Sequence, residues 1–322
     1  MSNERIKVAV LMGGPSSEHE VSLKTGQNVI NNLDQNRYSA EPVVIEKNGE
    51  WPLSVNILKE KTDVAFIAMH GEYGEDGGVQ SFLDSLPVSY TGSGALTSAL
   101  GMNKYLSLRH FQDYGLKIPN SILLSQWEWR LNPNLAVKKI FWNLEKPWVL
   151  KPNRGGSSVG VKIVNNVEDL VISLHNSFMS SKDMIIQNFI KGREVTCAVL
   201  DHGFKRSAYA LMPTEIVPLK SHFFDYVSKY DPKGSLEITP ARLSEAWLQT
   251  IRRSAVHTHN VLECRGMSRA DMIVGEDGNL YILEINTIPG LTENSLLPKA
   301  AAHQGISFPD LLHRIIQAAI NR

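Results

Sequence analysis

Apolar runs that end in glycine turns open the chain. Residues 6–12 run into Gly13-Gly14-Pro15, and residues 64–69 deliver His70-Gly71 at their end. Runs this short read as strands buried on both faces of a parallel sheet. Further strands fall near residues 42–45 and 87–90. Val21, Leu23, Val29, Ile30 and Leu33 mark a helix, and Ser17 with Glu20 reads as the capping box that opens it. Strand, glycine turn and helix resemble a nucleotide-binding opening, but GGPSSE lacks G-x-G-x-x-G, so no dinucleotide site is read here.

A helix over 95–114 follows Thr91-Gly92-Ser93-Gly94, with Gly115 as its C-cap and Pro119 beyond. Strand 148–152 leads through a glycine-serine loop, 153–160, into strand 161–164. Such a loop after Lys151 either lays N–H groups over a phosphate or is a flexible hairpin. A helix at 167–178, strands at 184–190 and 194–200, and helices at 243–262, 295–304 and 308–320 complete the pattern. The polar, aromatic stretch 222–240 reads as an active-site lid.

Chemistry concentrates in 269–290, RADMIVGEDGNLYILEINTIPG. Two β-rich runs flank Asp277-Gly278, the strongest short-range signal for a hairpin. With those two as the loop residues, Asp271 falls opposite Glu284 and Arg269 opposite Asn286, all on one face. Facing carboxylates repel and call for a cation. Asp271, Glu284 and Asn286 form an oxygen set that suits Mg²⁺. The alternative is a hairpin whose charged face meets water.

Bulk properties narrow the class. The chain has 322 residues, 43% hydrophobic and 20% charged, enough for two or three domains. Lys+Arg and Asp+Glu both number 33, so no global field points to nucleic acid or a membrane surface. Cys197 and Cys264 lack metal-site spacing and fit a reduced, cytoplasmic setting. The first apolar run is too short for a signal segment or a span.

GGPSSEHEVSL, HGEYGEDG, YTGSG, KPNRGGSSVG, FDYVSKY, TPA, RADMIV and LEINTIPGLTENSLLP occur in order. On these motifs the chain resembles the D-alanine–D-alanine ligases of the ATP-grasp superfamily. The resemblance implies an α/β fold of three-domain ATP-grasp architecture. An N-terminal open parallel-sheet domain (1–94) would precede two α+β domains clasping ATP (95–187 and 188–322). It implies ATP and Mg²⁺ as cofactors (two ions, with Mn²⁺ able to substitute), D-alanine as substrate and a homodimer.

The resemblance also implies roles. Asp271, Glu284 and Asn286 match metal ligands, and Lys104, Lys151 and Lys229 match phosphate contacts. Glu194 matches the ribose contact, Phe189 and Ile190 the adenine hinge, and Gln187 the position beside the adenine amino group. Ser157 and Ser158 belong to the loop over the transferred phosphate. Arg269 and the Gly290 N–H match donors to the acylphosphate and tetrahedral intermediate. Glu18 and His70 match residues near the first D-alanine, and Ser295 with the Leu296 N–H the carboxylate site of the second. Glu18, Ser157 and Tyr230 match a hydrogen-bonded triad, and Tyr230 is a candidate proton acceptor.

Departures from the family pattern are Gln187 for an acidic residue, Gly155 for a larger one, DYVSKY for DYEAKY, and Asn103 before Lys104. The rival readings are a ligase using D-lactate or D-serine, another carboxylate–amine ligase, and a non-catalytic ATP-binding regulator. Tyr230 favours the D-alanine dipeptide.

Overall fold

A computed structural model describes residues 4–52, 55–156, 159–202, 205–219 and 234–321. The N-terminal part alternates strand and helix: β1 (Ile6–Gly13), α1 (His19–Asn32), β2 (Tyr38–Ile45), α2 (Val55–Lys61), β3 (Val64–Ile67), α3 (Gly78–Asp84) and β4 (Ser89–Tyr90). The strands form one parallel sheet in the order β2-β1-β3-β4. All of β3 is buried, as its unbroken apolar run requires.

The capping box expected at Ser17 and Glu20 does not form. The helix begins at His19 with Glu18 at its N-cap and no side-chain cap. Ser16 takes the local bonds instead: its Oγ accepts from Glu18 N at 3.1 Å and donates to His70 O at 2.6 Å. That second bond ties the β1 turn to the end of β3, a tertiary constraint invisible in local spacing.

The single helix expected over 95–114 is two, α4 (Ala95–Met102) and α5 (Lys104–Asp113). Asn103 adopts an extended conformation between them, and its side chain caps α5 by accepting from Leu106 N. Asn153, just past a strand of the next sheet, holds the break: its O accepts from Lys104 N at 3.0 Å and its Oδ1 from Tyr105 N at 2.9 Å. Lys104 is thereby fixed at the first helical position. Gly115 ends α5 as expected, at φ +81°, with Leu116 N donating to Phe111 O at 3.0 Å.

The middle of the chain gives β5 (Ser121–Ser125), α6 (Gln126–Leu131), α7 (Pro133–Asn143), β6 (Trp148–Pro152), β7 (Lys162–Val164), α8 (Val167–Ser177) and β8 (Asp183–Asn188). These strands form an antiparallel sheet, β5-β8-β6-β7. A second antiparallel sheet contains β9 (Gly192–His202), β10 (Lys205–Ala210), β11 (Thr214–Pro218), β12 (Ser235–Ile238), β13 (Met267–Gly275) and β14 (Leu280–Asn286). Its order is β12-β11-β9-β13-β14, with β10 also on β9. Helix α9 (Glu245–Val261) packs against it, burying Leu248, Ile251 and Ala255.

The last helices, α10 (Leu296–His303) and α11 (Phe308–Ile320), return to the N-terminal sheet. Leu311, Leu312, Ile315 and Ile316 make one stripe of α11 and share a core with Phe66 and Ile67 of β3. The chain's two ends are therefore packed together, and the acidic hairpin is carried up to the carboxyl ends of the parallel strands.

Candidate active site

The hairpin reaches its expected pairing by an unexpected route. Its loop has three residues, Glu276, Asp277 and Gly278: Gly275 N donates to Asn279 O at 2.8 Å, Gly278 N donates to Gly275 O at 3.0 Å, and Gly278 has φ +76°. Pairing from Val274↔Leu280 to Met272↔Ile282 is consequently one residue off the two-residue-loop count. A bulge then leaves Leu283 without an opposite residue and restores Asp271↔Glu284 and Arg269↔Asn286. The bulge also turns the Leu283 carbonyl toward Lys151, whose Nζ lies 3.4 Å away.

The facing carboxylates are each met by a cationic side chain. Arg269 donates from Nε to Asp271 Oδ1 and from Nη2 to Oδ2, both at 2.8 Å. Lys104 Nζ stands 3.7 Å from Glu284 Oε2 and also donates to Gly155 O. Among the described residues there is no cluster of three or more His, Cys, Asp or Glu able to enclose a metal. Two carboxylates and an amide suit Mg²⁺ only if other oxygens, such as phosphates, complete its shell.

The hairpin faces the other antiparallel sheet across an open cleft. Lys151, Gln187, Phe189 and Ile190 line one side, and Glu194, Arg269, Asp271 and Glu284 the other. Burial pushes the Lys151 ammonium down to about 8, with Lys104 adding to the fall and Glu284 opposing it. Burial pushes Glu194 up to about 8, reinforced by the charges of Asp271 and Glu284. Burial works against the Arg269 charge, but Asp271 and Glu284 outweigh it and raise Arg269 above its ordinary value.

Gln187 is buried and donates from Nε2 to Ser121 Oγ at 2.8 Å. Phe189 N donates to Pro147 O at 3.0 Å, which takes that N–H out of the set available to a ligand. Asn188 also lines the cleft, and its buried Oδ1 has no partner among the described residues.

A second pocket continues from the cleft past Arg269. It brings together Glu18, His70, Asn286, Gly290, Ser295 and Leu296 from distant parts of the chain. His70 is buried, with Nε2 2.9 Å from Thr25 Oγ1 and Nδ1 3.3 Å from Glu75 Oε1. Ser295 is the N-cap residue of α10, but its Oγ accepts from Thr292 N at 3.1 Å rather than capping the helix. A Cβ on Gly290 would lie 2.7 Å from that Oγ, so a side chain there would displace the Ser295 hydroxyl.

Ser157, Ser158, Lys229 and Tyr230, and most of the stretch read as a lid, lie outside the described residues. Residues 235–238 of that stretch are strand β12. Sequence reasoning missed Glu75, Thr25 and Thr196. Glu75 stands in the quoted HGEYGEDG motif, whereas Thr25 and Thr196 carry no local signal. Thr196 Oγ1 donates to Asp271 Oδ1 at 2.6 Å.

Comparison with known proteins agrees along nearly the whole chain. The family model described as D-ala D-ala ligase C-terminus matches residues 110–317, and that described as D-ala D-ala ligase N-terminus matches 7–61 and 53–93. A D-alanine--D-alanine ligase of Syntrophobacter fumaroxidans is 41% identical over 322 residues, 99% of each chain. One from Anaeromyxobacter dehalogenans is 40% identical over 318 residues, 97% of this chain and 96% of the relative. Among solved structures, the VanG D-Ala:D-Ser ligase of Enterococcus faecalis aligns at TM-score 0.85 and 30% identity, over 98% of this chain and 100% of its own. The D-alanine--D-alanine ligase of Bacillus anthracis complexed with ATP aligns at 0.80 and 34%, over 98% and 97%.

Proposed function

Since the chain belongs to the D-alanine–D-alanine ligase family, we infer from its site how it joins two D-alanine molecules with ATP, giving D-alanyl-D-alanine, ADP and phosphate for peptidoglycan synthesis. The observation that carries the residue assignment is the place of Arg269. It lines both the wide cleft and the second pocket, beside the acidic hairpin. A reacting phosphate between ATP and a bound amino acid belongs at that junction.

A carboxylate resists attack by an amine because oxide is a poor leaving group. The first D-alanine, held near Glu18 and His70, attacks the terminal phosphorus of ATP through its carboxylate oxygen. The bond from that phosphorus to ADP breaks, leaving an acylphosphate. Lys104 and Lys151 meet the phosphate charge in this reading, and Glu194 the ribose. Asp271, Glu284 and Asn286 would hold Mg²⁺, which neutralises charge on the transferring phosphoryl group.

The second D-alanine, its carboxylate at Ser295 and the Leu296 N–H, attacks the acyl carbon as a free amine. A C–N bond forms, phosphate leaves, and the ammonium proton passes to the protein. Tyr230, acting through Ser157, is the candidate acceptor in this reading. Arg269 and the Gly290 N–H face the oxyanion, a role commonly worth about 3 kcal/mol per donor.

The same reading places the protein in the cytoplasm as a homodimer formed through the N-terminal domain, which light scattering checks. Among the described residues no helix is long and apolar enough to cross a membrane.

The deciding assay measures phosphate release with Mg-ATP and D-alanine, alone or paired with D-serine or D-lactate, and with L-alanine, followed by mass analysis. D-alanyl-D-alanine with equal ADP and phosphate is expected. A mixed product formed in preference would move the assignment to another acceptor. No phosphate release with any acceptor would overturn it.

A further inference from the structure

Thr196 sits in the middle of β9, directly opposite Asp271 on β13. The flanking Val195 and Cys197 are buried in the apolar core of this sheet, whereas Glu194 and Thr196 line the cleft. A buried hydroxyl needs a partner. Thr196 Oγ1 has two acceptors in range, Asp271 Oδ1 at 2.6 Å and Ala270 O at 3.4 Å. The hydroxyl has one proton to give, and the short contact to the charged oxygen takes it.

We propose that Thr196 is a positioning residue for the metal site, fixing the plane of the Asp271 carboxylate from the neighbouring strand. The inference rests on reading Asp271 as a metal ligand. Arg269 grips the same carboxylate, but its long side chain also lines the pocket where the reacting phosphate belongs. Thr196 is the shorter side chain. Its backbone is locked by strand register on both sides, and a β-branched side chain is stiff at χ1. A hydroxyl held this way keeps Asp271 aimed into the cleft whichever partner Arg269 serves. Partners that orient a metal ligand typically change metal affinity by about 10–100-fold when removed.

The test is Mn²⁺ titration by electron paramagnetic resonance, with the full chain saturated by a non-hydrolysable ATP analogue. Thr196→Val keeps the shape and deletes the donor, so Mn²⁺ binding should weaken about 10–100-fold. Thr196→Ser should restore it. Thr196→Ala repeats the test should the valine variant fold poorly. Wild-type Mn²⁺ affinity in the donor-deleted protein would overturn the proposal. Asp271→Asn and Glu284→Gln run alongside. Wild-type Mn²⁺ binding in both of those would show instead that the metal reading is at fault.

Discussion

Arg269 and Asp271, two residues apart on one strand, are joined by a two-pronged ion pair with both contacts at 2.8 Å. The fork geometry of a guanidinium makes this possible, and an ammonium could not reproduce it. Arg269 thus neutralises one acidic residue while its charge faces the second pocket.

Arg269→Met should therefore lose more than a substrate contact. Removing a donor to the oxyanion lowers kcat by about 10²–10³-fold, and Asp271 would lose the guanidinium that grips both its oxygens. Arg269→Lys should recover only part of the loss. Steady-state phosphate release measures both.

The cleft groups give stability a characteristic pH dependence. The ordinary pKa of Glu194 is 4.5 and its folded value is about 8. Between these the folded chain binds more protons than the unfolded one, so stability falls as pH rises. For Lys151 the ordinary value is 10.5 and the folded one about 8. Between these the unfolded chain binds more protons, so stability rises with pH. Melting temperature without nucleotide should pass through a shallow minimum near pH 8. Glu194→Gln should flatten the acid side and Lys151→Met the alkaline side; variants that leave the profile unchanged would refute the assignment.

Gly290→Ala would drive a Cβ to 2.7 Å from Ser295 Oγ. The expected result is a folded protein with KM for the second D-alanine raised by about tenfold or more, the equivalent of about 1.4 kcal/mol. ATP binding should be spared. Initial rates over a range of D-alanine concentrations separate the two substrate sites.

Glu215 is buried and holds two arginines, Arg193 Nη2 at 2.7 Å and Arg242 Nε at 3.0 Å. Burial alone would raise its pKa, but Arg242 and Arg193 outweigh that and hold it below the ordinary value. Its contribution is present above pH 4.5 and fades as pH falls. Glu215→Gln should lower the urea unfolding midpoint at pH 7, with less effect in acid, where the carboxylate is already being protonated.

Much of this site was legible because its residues announce themselves locally. Asp-Gly between two β-rich runs located the hairpin, and alternation put Arg269, Asp271, Glu284 and Asn286 on one face. The correct pairing nevertheless came from two shifts that cancel, a three-residue loop and a bulge at Leu283. The split of the 95–114 helix at Asn103 depends on Asn153, fifty residues away, so no local periodicity could show it. Helix α6 went unread, although Ser125 and Glu128 make both halves of a capping box. Thr196 was not legible, because its role depends on which residue β13 places opposite it.

The measurement that bears most directly on the central claim is a single turnover of wild-type protein and Glu284→Gln with Mg-ATP and D-alanine. ADP and D-alanyl-D-alanine are quantified together. The wild type should give both in equal amounts and the variant neither. Dipeptide formed by the variant at the wild-type rate would place the metal chemistry away from the β13–β14 hairpin and contradict the account.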